Sequence, residues 1–384
     1  MKQTILFYVN SSGGLGFGAA ARLNALTALT LQCDVAVELS DSLTGFPARR
    51  LKLQAGNWIA PNLQPTQSFF TKGALQTFLE WSLTEFQGSN ISLVFSSHGF
   101  AGRRIQNIGM KFSVRSVYSW CWNHLAAPPQ ILQLPVLRRD ADTSTGGLYI
   151  GPIRDAISGA LNGKSILQVV AFDACAMGTV EVIDALHPFA LTIVGSVVDT
   201  VDMNWADWLR MINPAVAALT IASSLTDTYR KQTPAIGEDP ENRSLSVFDT
   251  AMGASLVSAV NDFAAAFDKL LTANQDYCRL LLELKNAVSP GYGSRAIVDI
   301  IGIALRMYPN ESGLLTLSGD AESLARNIAI YGFSNFRSSI APNIILVSST
   351  RSLPDDYLDP QLVPFSVGSW GRLQAHFFDK LISC

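Results

Sequence analysis

Short apolar runs alternate with segments of helical spacing along the first half of the chain. Strands are predicted where β-branched and aromatic residues follow one another, and helices where apolar residues recur every three or four positions. The predicted strands are residues 4–9, 35–39, 91–95, 166–172 and 191–194, and the predicted helices are residues 19–30, 71–85, 151–161 and 178–186. This alternation predicts an α/β fold, with a mostly parallel sheet flanked by helices.

The pattern changes in the second half. From about residue 212 helical spacing dominates, and the predicted elements are helices at 215–230, 250–274, 277–286 and 371–382 and a strand at 344–347. Between His98 and Gly151 neither pattern holds, and a long irregular segment inside a compact domain is usually functional or mobile. We therefore expect a core domain over residues 1–212, with a basic, mobile loop at 100–147, and a mainly helical C-terminal region over 213–384 packed on the core.

Composition narrows the class of protein. Hydrophobic residues make up 48% of the 384 residues and charged residues 15%, which favours a globular protein with a large core over a disordered chain. The net charge of −3 gives no reason to expect a nucleic-acid partner. No apolar stretch approaches the roughly 18 residues of a membrane span, so no membrane partner is expected.

Cysteine usage indicates a cellular compartment. The five cysteines are scattered, odd in number and without CxxC spacing. Such usage suits a reducing environment better than a disulfide framework, and it offers no zinc site. We therefore expect a cytoplasmic protein without a bound metal.

Two reactive side chains each follow a predicted buried strand. His98 and Gly99 come after the strand at 91–95, and Cys175 comes after the strand at 166–172. Adjacent parallel strands deliver their last residues to the same edge of a sheet, where ligands bind. A thiolate that attacks and an imidazole that handles protons support nucleophilic catalysis. The helix predicted to begin at 178 would favour the Cys175 thiolate through its N-terminus, and the amides of Gly99 and Cys175 would form an oxyanion hole.

These two motifs resemble those of the clostripain family of cysteine peptidases, which are relatives of caspases, gingipains and legumain. The longer motif runs from Asp173 to Val182 and reads DACAMGTVEV, and the resemblance covers about residues 3–270. It implies a caspase-like sheet, with residues 1–212 as the peptidase core. It also implies a dyad in which Cys175 is the nucleophile and His98 the general acid and base.

The resemblance implies cleavage after arginine or lysine. Asp173 is the expected carboxylate of the specificity pocket, and Asp202 or Asp199 is expected to supply a second acid, because a carboxylate pairs well with a guanidinium. The chain departs from the family at 196–198, where it reads Ser-Val-Val and family members commonly carry Ser-Glu-Glu. This departure puts the charge of the pocket in question.

Family members are often zymogens that are cleaved between the histidine and the cysteine. Candidate processing sites in the basic loop are Arg139, Arg138 and Arg104. Some members also need calcium, but no clustered acidic loop specifies it here, and no other cofactor is expected. The expected partners are a protein or peptide substrate and an upstream activating protease.

Two other functions remain open from the sequence. The first is a catalytically silent interaction protein that has a caspase-like fold and a non-productive pocket. The altered segment 196–198 is the observation that suggests it. Alternatively, Gly14, Gly16 and Ala19 match the spacing of a dinucleotide-binding turn, and Glu38 stands near the end of the second strand, where such proteins carry an acidic residue.

Overall fold

The strands form one large sheet and one small one. The computed structural model describes residues 2–10, 16–40, 48–62, 64–97, 148–163, 165–174, 177–197, 203–233, 243–273, 297–299, 312–334, 342–345, 360–361 and 363–381. The strands are β1 (Gln3–Asn10), β2 (Asp34–Ser40), β3 (Ala48–Gln54), β4 (Asn57–Ile59), β5 (Asn90–Ser96), β6 (Leu167–Asp173), β7 (Ala190–Gly195), β8 (Ser244–Asp249), β9 (Ile297–Asp299), β10 (Ala329–Ser334) and β11 (Asn343–Ile345).

The helices connect these strands and cover both faces of the large sheet. They are α1 (Gly16–Thr27), α2 (Lys72–Glu85), α3 (Ile150–Leu161), α4 (Val180–Leu186), α5 (Trp205–Arg210), α6 (Ala218–Lys231), α7 (Gly253–Ala273), α8 (Ser312–Ile328) and α9 (Ser369–Leu381). Two short 3-10 helices, Thr250–Met252 and Pro364–Val367, precede α7 and α9.

In the described part of the chain, nine strands form the large sheet, in the order β10-β8-β7-β6-β5-β1-β2-β3-β4. The central strands from β7 to β2 run parallel. Antiparallel strands extend the sheet on both sides, and β9 pairs separately with β11. The predicted α/β fold, a mostly parallel sheet flanked by helices, is confirmed.

Each central strand is buried on both faces, which is why its sequence is a nearly continuous apolar run. Alternate residues enter two separate cores: Leu93 and Phe95 of β5 face one, and Val94 faces the other. Helices α2, α3, α4, α7, α8 and α9 cover the first core, and α1, α5 and α6 cover the second. The result is a three-layer arrangement of helices, sheet and helices.

Several strands that extend the sheet were not predicted. β3 reads ARRLKLQ and carries three basic residues, and β4 has only three residues. Strands near the edge of a sheet are partly solvated and tolerate charged side chains, so a search for apolar runs misses them. β8 and β10 lie beyond residue 212, in the part expected to be mainly helical, yet they join the same sheet.

The predicted domain boundary at residue 212 stays a prediction, and the sheet continues across it. The expected helices at 215–230, 250–274 and 371–382 correspond to α6, to the 3-10 helix with α7, and to α9. The loop at 100–147 and the expected helix at 277–286 lie outside the described residues.

Candidate active site

The carboxyl ends of β5 and β6 lie side by side at one edge of the sheet. Ser96 is paired with Asp173 in the parallel register, and the Ser97 amide donates a 3.3 Å hydrogen bond to the Asp173 carbonyl. His98 and Cys175 lie outside the described residues, and each follows the paired position of its strand by two residues. The two predicted catalytic residues are therefore equally far along the chain from the last paired residues of the two strands.

The segment after Cys175 is held against the end of β7. The Gly178 amide donates a 2.7 Å hydrogen bond to the Ser196 carbonyl. A Cβ atom placed on Gly195 would lie 2.9 Å from the Gly178 nitrogen, and one placed on Gly178 would lie 3.0 Å from the Gly195 carbonyl oxygen. Two glycines therefore allow the two backbones to approach this closely. Gly178 belongs to the predicted motif, whereas no sequence signal indicated Gly195.

Helix α4 begins later than the sequence predicted. It starts at Val180, and Thr179 is its N-cap residue, with an extended backbone. Cys175 precedes the helix by five residues, whereas the field of a helix terminus falls off within about one turn. The predicted helix start at 178 is therefore two residues too early, and the expectation that this N-terminus favours the Cys175 thiolate stays a prediction.

Of the three expected pocket residues, Asp173 is the one that the structure describes. Its side chain is only 3% exposed. One carboxylate oxygen, Oδ2, accepts hydrogen bonds from Arg22 Nη1 at 2.5 Å, the Ser96 hydroxyl at 3.0 Å and Trp205 Nε1 at 3.1 Å. The other, Oδ1, accepts one from the Met203 amide at 3.2 Å. The carboxylate is thus fully engaged by the protein, and its role in a substrate pocket stays a prediction.

Arg22 is a residue that sequence analysis did not single out. It belongs to α1, and its guanidinium carbon lies 3.9 Å from the centre of the Trp205 ring. Its Nη2 group also donates to the Ser96 hydroxyl, at 3.4 Å, and its side chain is 13% exposed. Between residues 3 and 48 the chain has no other lysine or arginine. That isolation is the one sequence signal that points to a buried role.

The other expected site residues lie outside the described part of the chain. They are the oxyanion-hole residue Gly99, the pocket candidates Asp202 and Asp199, and the processing candidates Arg139, Arg138 and Arg104. Their roles stay predictions.

A small aromatic cleft lies beside Ser97. Its lining includes Tyr8, Phe69 and Phe95. At its rim, Asn10 Nδ2 donates a 3.3 Å hydrogen bond to the Ser97 hydroxyl. The cleft therefore offers apolar contact next to the residue that precedes His98.

The dinucleotide interpretation does not fit the described residues of this region. Gly14 lies outside them, Gly16 begins α1, and Ala19 is buried in the second core. The Glu38 carboxylate is fully buried and accepts a 2.8 Å hydrogen bond from Arg50 Nε, and burial raises the pKa of Glu38. Glu38 is thus an internal ion-pair partner and cannot reach a ribose.

Neither a metal-ligand cluster nor a membrane-spanning helix is present in the described ranges. There, no group of three or more His, Cys, Asp or Glu side chains is placed to hold a metal ion. None of the helices with described residues is long and apolar enough to cross a membrane. The expectation of no bound metal or other cofactor stays a prediction.

The model of the clostripain family matches residues 71–292, more than half of the chain. The chain belongs to the clostripain family, so the predicted cysteine peptidase activity is confirmed and its substrates are proteins or peptides. No curated protein matches the sequence.

Solved structures with the same fold are C11 cysteine proteases. A secreted C11 protease from Bacteroides thetaiotaomicron, in complex with an irreversible peptide inhibitor, is 13% identical with a TM-score of 0.62, covering 96% of this chain and 98% of that one. An inactive zymogen C11 protease from Parabacteroides distasonis is 13% identical with a TM-score of 0.60, covering 97% of each. A second structure of a secreted protease from B. thetaiotaomicron is 14% identical, also at 0.60, covering 97% and 99%.

The expected cytoplasmic location is wrong by this comparison, because two of these structures are of secreted proteases. The expectation relied on scattered cysteines as a sign of a reducing compartment. Cys33, the cysteine that the structure describes, is a buried free thiol whose pKa burial raises to about 12. Such a thiol is part of the core packing, and it carries no information on the redox environment.

Proposed function

We propose that the chain is an endopeptidase in which Cys175 is the nucleophile and His98 is the general acid and base. The observation that carries the proposal is the register of β5 and β6, in which Ser96 pairs with Asp173. The hydrogen bond from the Ser97 amide to the Asp173 carbonyl continues this pairing toward both residues. Equal offsets from paired positions on adjacent parallel strands favour an approach of the two side chains.

The proposed reaction proceeds through a thioester. His98 takes the proton of the Cys175 thiol, and the thiolate forms a carbon–sulfur bond with the scissile carbonyl carbon. The amides of Gly99 and Cys175 stabilise the oxyanion. The protonated His98 gives its proton to the leaving amine as the carbon–nitrogen bond breaks. Water, activated by His98, then attacks the thioester and releases the carboxylic acid and the free thiol.

We place a basic residue, arginine or lysine, before the scissile bond. The support is chemical: a carboxylate close to the nucleophile selects a guanidinium or an ammonium group. Asp173 lies two residues before Cys175, but Arg22 already compensates its charge. The net negative charge of the pocket would then come from Asp202 or Asp199.

The enzyme is proposed to be a secreted zymogen. Support comes from the secreted relatives and from the zymogen form of the Parabacteroides protease. Cleavage in the segment between His98 and Cys175 would activate it, with Arg139, Arg138 and Arg104 as candidate sites. Either the enzyme itself or an upstream protease would make this cut, and no bound cofactor is required by the proposed chemistry.

Intact-mass analysis of the wild type beside Cys175→Ala tests these proposals. Both proteins are incubated, and both are assayed with fluorogenic peptides that end in arginine, lysine or aspartate. We expect the wild type to be cut between residues 99 and 150, the mutant to stay whole, and only basic peptides to be hydrolysed by the wild type. Hydrolysis by Cys175→Ala would overturn the assignment of the nucleophile. Two intact and inactive proteins would exclude self-activation under these conditions, leaving either activation by an upstream protease or a silent interaction protein.

A further inference from the structure

The surroundings of Asp173 have the composition of an arginine-binding site, and the arginine is the protein's own. A guanidinium that pairs with a carboxylate and stacks on an aromatic ring is a recurrent mode of arginine recognition. Arg22 meets both conditions, with Nη1 2.5 Å from Asp173 Oδ2 and its guanidinium carbon 3.9 Å from the centre of the Trp205 ring. The Ser96 hydroxyl contacts both groups, accepting a 3.4 Å hydrogen bond from Arg22 Nη2 and donating one of 3.0 Å to Asp173 Oδ2.

This cluster belongs to the edge of the sheet from which the proposed dyad departs. Asp173 ends β6 two residues before Cys175, and Ser96 ends β5 two residues before His98. Alternation along both strands turns these two side chains toward the core beneath α1 and α5, because Phe95 and Phe172 face the opposite core. A substrate guanidinium that reached Asp173 would therefore enter the space that the Arg22 guanidinium holds.

The hydrogen bonds of Asp173 leave little capacity for a second guanidinium. An ionised carboxylate has about four acceptor positions. Arg22, Ser96 and Trp205 share Oδ2, and the Met203 amide uses Oδ1. A substrate arginine could bind this carboxylate only if it displaced Arg22.

We propose that Arg22 is a specificity-determining residue that occupies the guanidinium position at Asp173 and so prevents this carboxylate from selecting a basic residue of the substrate. The inference rests on the proposed peptidase function. It implies that the preference of the wild-type enzyme for a basic residue before the scissile bond comes from Asp202 or Asp199 and not from Asp173. Removal of the Arg22 side chain opens a site that fits a guanidinium, and the preference for arginine then rises.

The first test needs no catalytic activity. Arg22→Ala is purified with and without millimolar ethylguanidinium, and thermal unfolding is recorded for the variant and the wild type, with ethylammonium at equal ionic strength as the control. We expect ethylguanidinium to raise the Tm of Arg22→Ala by several degrees and to leave the wild type unchanged. Because an unpaired buried carboxylate is costly, folding of the variant only in the presence of ethylguanidinium also supports the proposal. The absence of any stabilisation, or a failure to fold even with ethylguanidinium, overturns it.

The second test measures selectivity. The ratio of kcat/KM for arginine to that for leucine before the scissile bond is compared among the wild type, Arg22→Ala and Arg22→Lys, with Arg22→Ala assayed free of ethylguanidinium or after its removal. A charged hydrogen bond gained by the substrate predicts a rise of about tenfold or more in Arg22→Ala. Arg22→Lys retains the positive charge and should keep a ratio close to that of the wild type. An equal loss of activity on both peptides would mean that Arg22 only stabilises the fold.

The two tests separate this inference from the proposed function. If the wild type hydrolyses no peptide even after cleavage between His98 and Cys175, the endopeptidase proposal fails, while the response of Arg22→Ala to ethylguanidinium still decides whether the Arg22 position is a guanidinium site. If peptides are hydrolysed but the arginine-to-leucine ratio does not change in Arg22→Ala, the specificity role of Arg22 fails alone.

Discussion

The close approach of Gly195 and Gly178 makes Gly195→Ala an informative perturbation. The added Cβ would lie 2.9 Å from the Gly178 nitrogen and 2.9 Å from the carbonyl carbon and oxygen of Met177. Carbon atoms in favourable contact are about 3.5–4.0 Å apart, so one backbone must move by roughly 0.6–1 Å. All three neighbours are backbone atoms, and no side chain can rotate away to relieve the contact.

The expected cost has two parts. Overpacking of this kind destabilises a protein by about 1–3 kcal/mol, and weakening the 2.7 Å hydrogen bond from the Gly178 amide to the Ser196 carbonyl adds about 1 kcal/mol. The movement also displaces the segment that carries Cys175. A misplacement of about 1 Å at a catalytic group lowers the rate by about 100-fold, so kcat/KM should fall by roughly 10- to 100-fold even in fully folded protein.

Urea unfolding and the rate of labelling by an irreversible peptide inhibitor measure the two effects separately. The matched control is Gly319→Ala, because Gly319 lies in α8 with open space around the position of a Cβ atom. The control should be neutral or up to about 1 kcal/mol more stable, with an unchanged labelling rate. If the inhibitor labelled Gly195→Ala at the wild-type rate, whatever the stability of the variant, this contact would not position the nucleophile.

Three further predictions concern groups away from the dyad. Because burial raises the pKa of the Cys33 thiol to about 12, iodoacetamide at pH 8 should leave Cys33 unmodified in the native protein, as peptide mapping would show; its modification there would contradict the buried position. Arg50→Met should cost about 3–5 kcal/mol, since it leaves the buried Glu38 without its partner. Burial raises the pKa of Glu38 and Arg50 lowers it, so removal of Arg50 moves this pKa further up, and protonation relieves more of the unpaired charge at pH 5 than at pH 8. The loss measured by urea unfolding should therefore be smaller at pH 5; equal losses would refute this. Finally, dialysis against EDTA should leave peptide hydrolysis unchanged, and recovery of lost activity by added calcium would show a metal requirement.

Local sequence patterns were sufficient to predict the central strands and the order of the two proposed dyad residues along the chain. β5 and β6 are apolar on both faces because helices cover both sides, so each stands out as a short run of buried residues. The motif around Cys175 is contiguous, and a contiguous motif can be recognised without knowledge of the fold. The edge strand β4 and the charged strand β3 carry no such signal, because partial exposure removes the need for apolar residues.

The contacts of Asp173 could not be predicted from the sequence. Arg22 is separated from Asp173 by 151 residues and Trp205 by 32, and pairs so far apart meet only once the sheet order is fixed. The same holds for Gly195, whose role depends on the passage of the Gly178 backbone beside the end of β7. Long-range polar and steric partners of this kind follow from topology, which periodicity along the chain does not specify.

The central claim is that Cys175 is the nucleophile of a peptidase. The most direct measurement is mass spectrometry of the wild type, Cys33→Ser and Cys175→Ala after incubation with an irreversible peptide inhibitor, followed by peptide mapping of the adduct. We expect a single adduct on Cys175 in the wild type and in Cys33→Ser, and none in Cys175→Ala. An adduct on another residue, or undiminished labelling of Cys175→Ala, would contradict it.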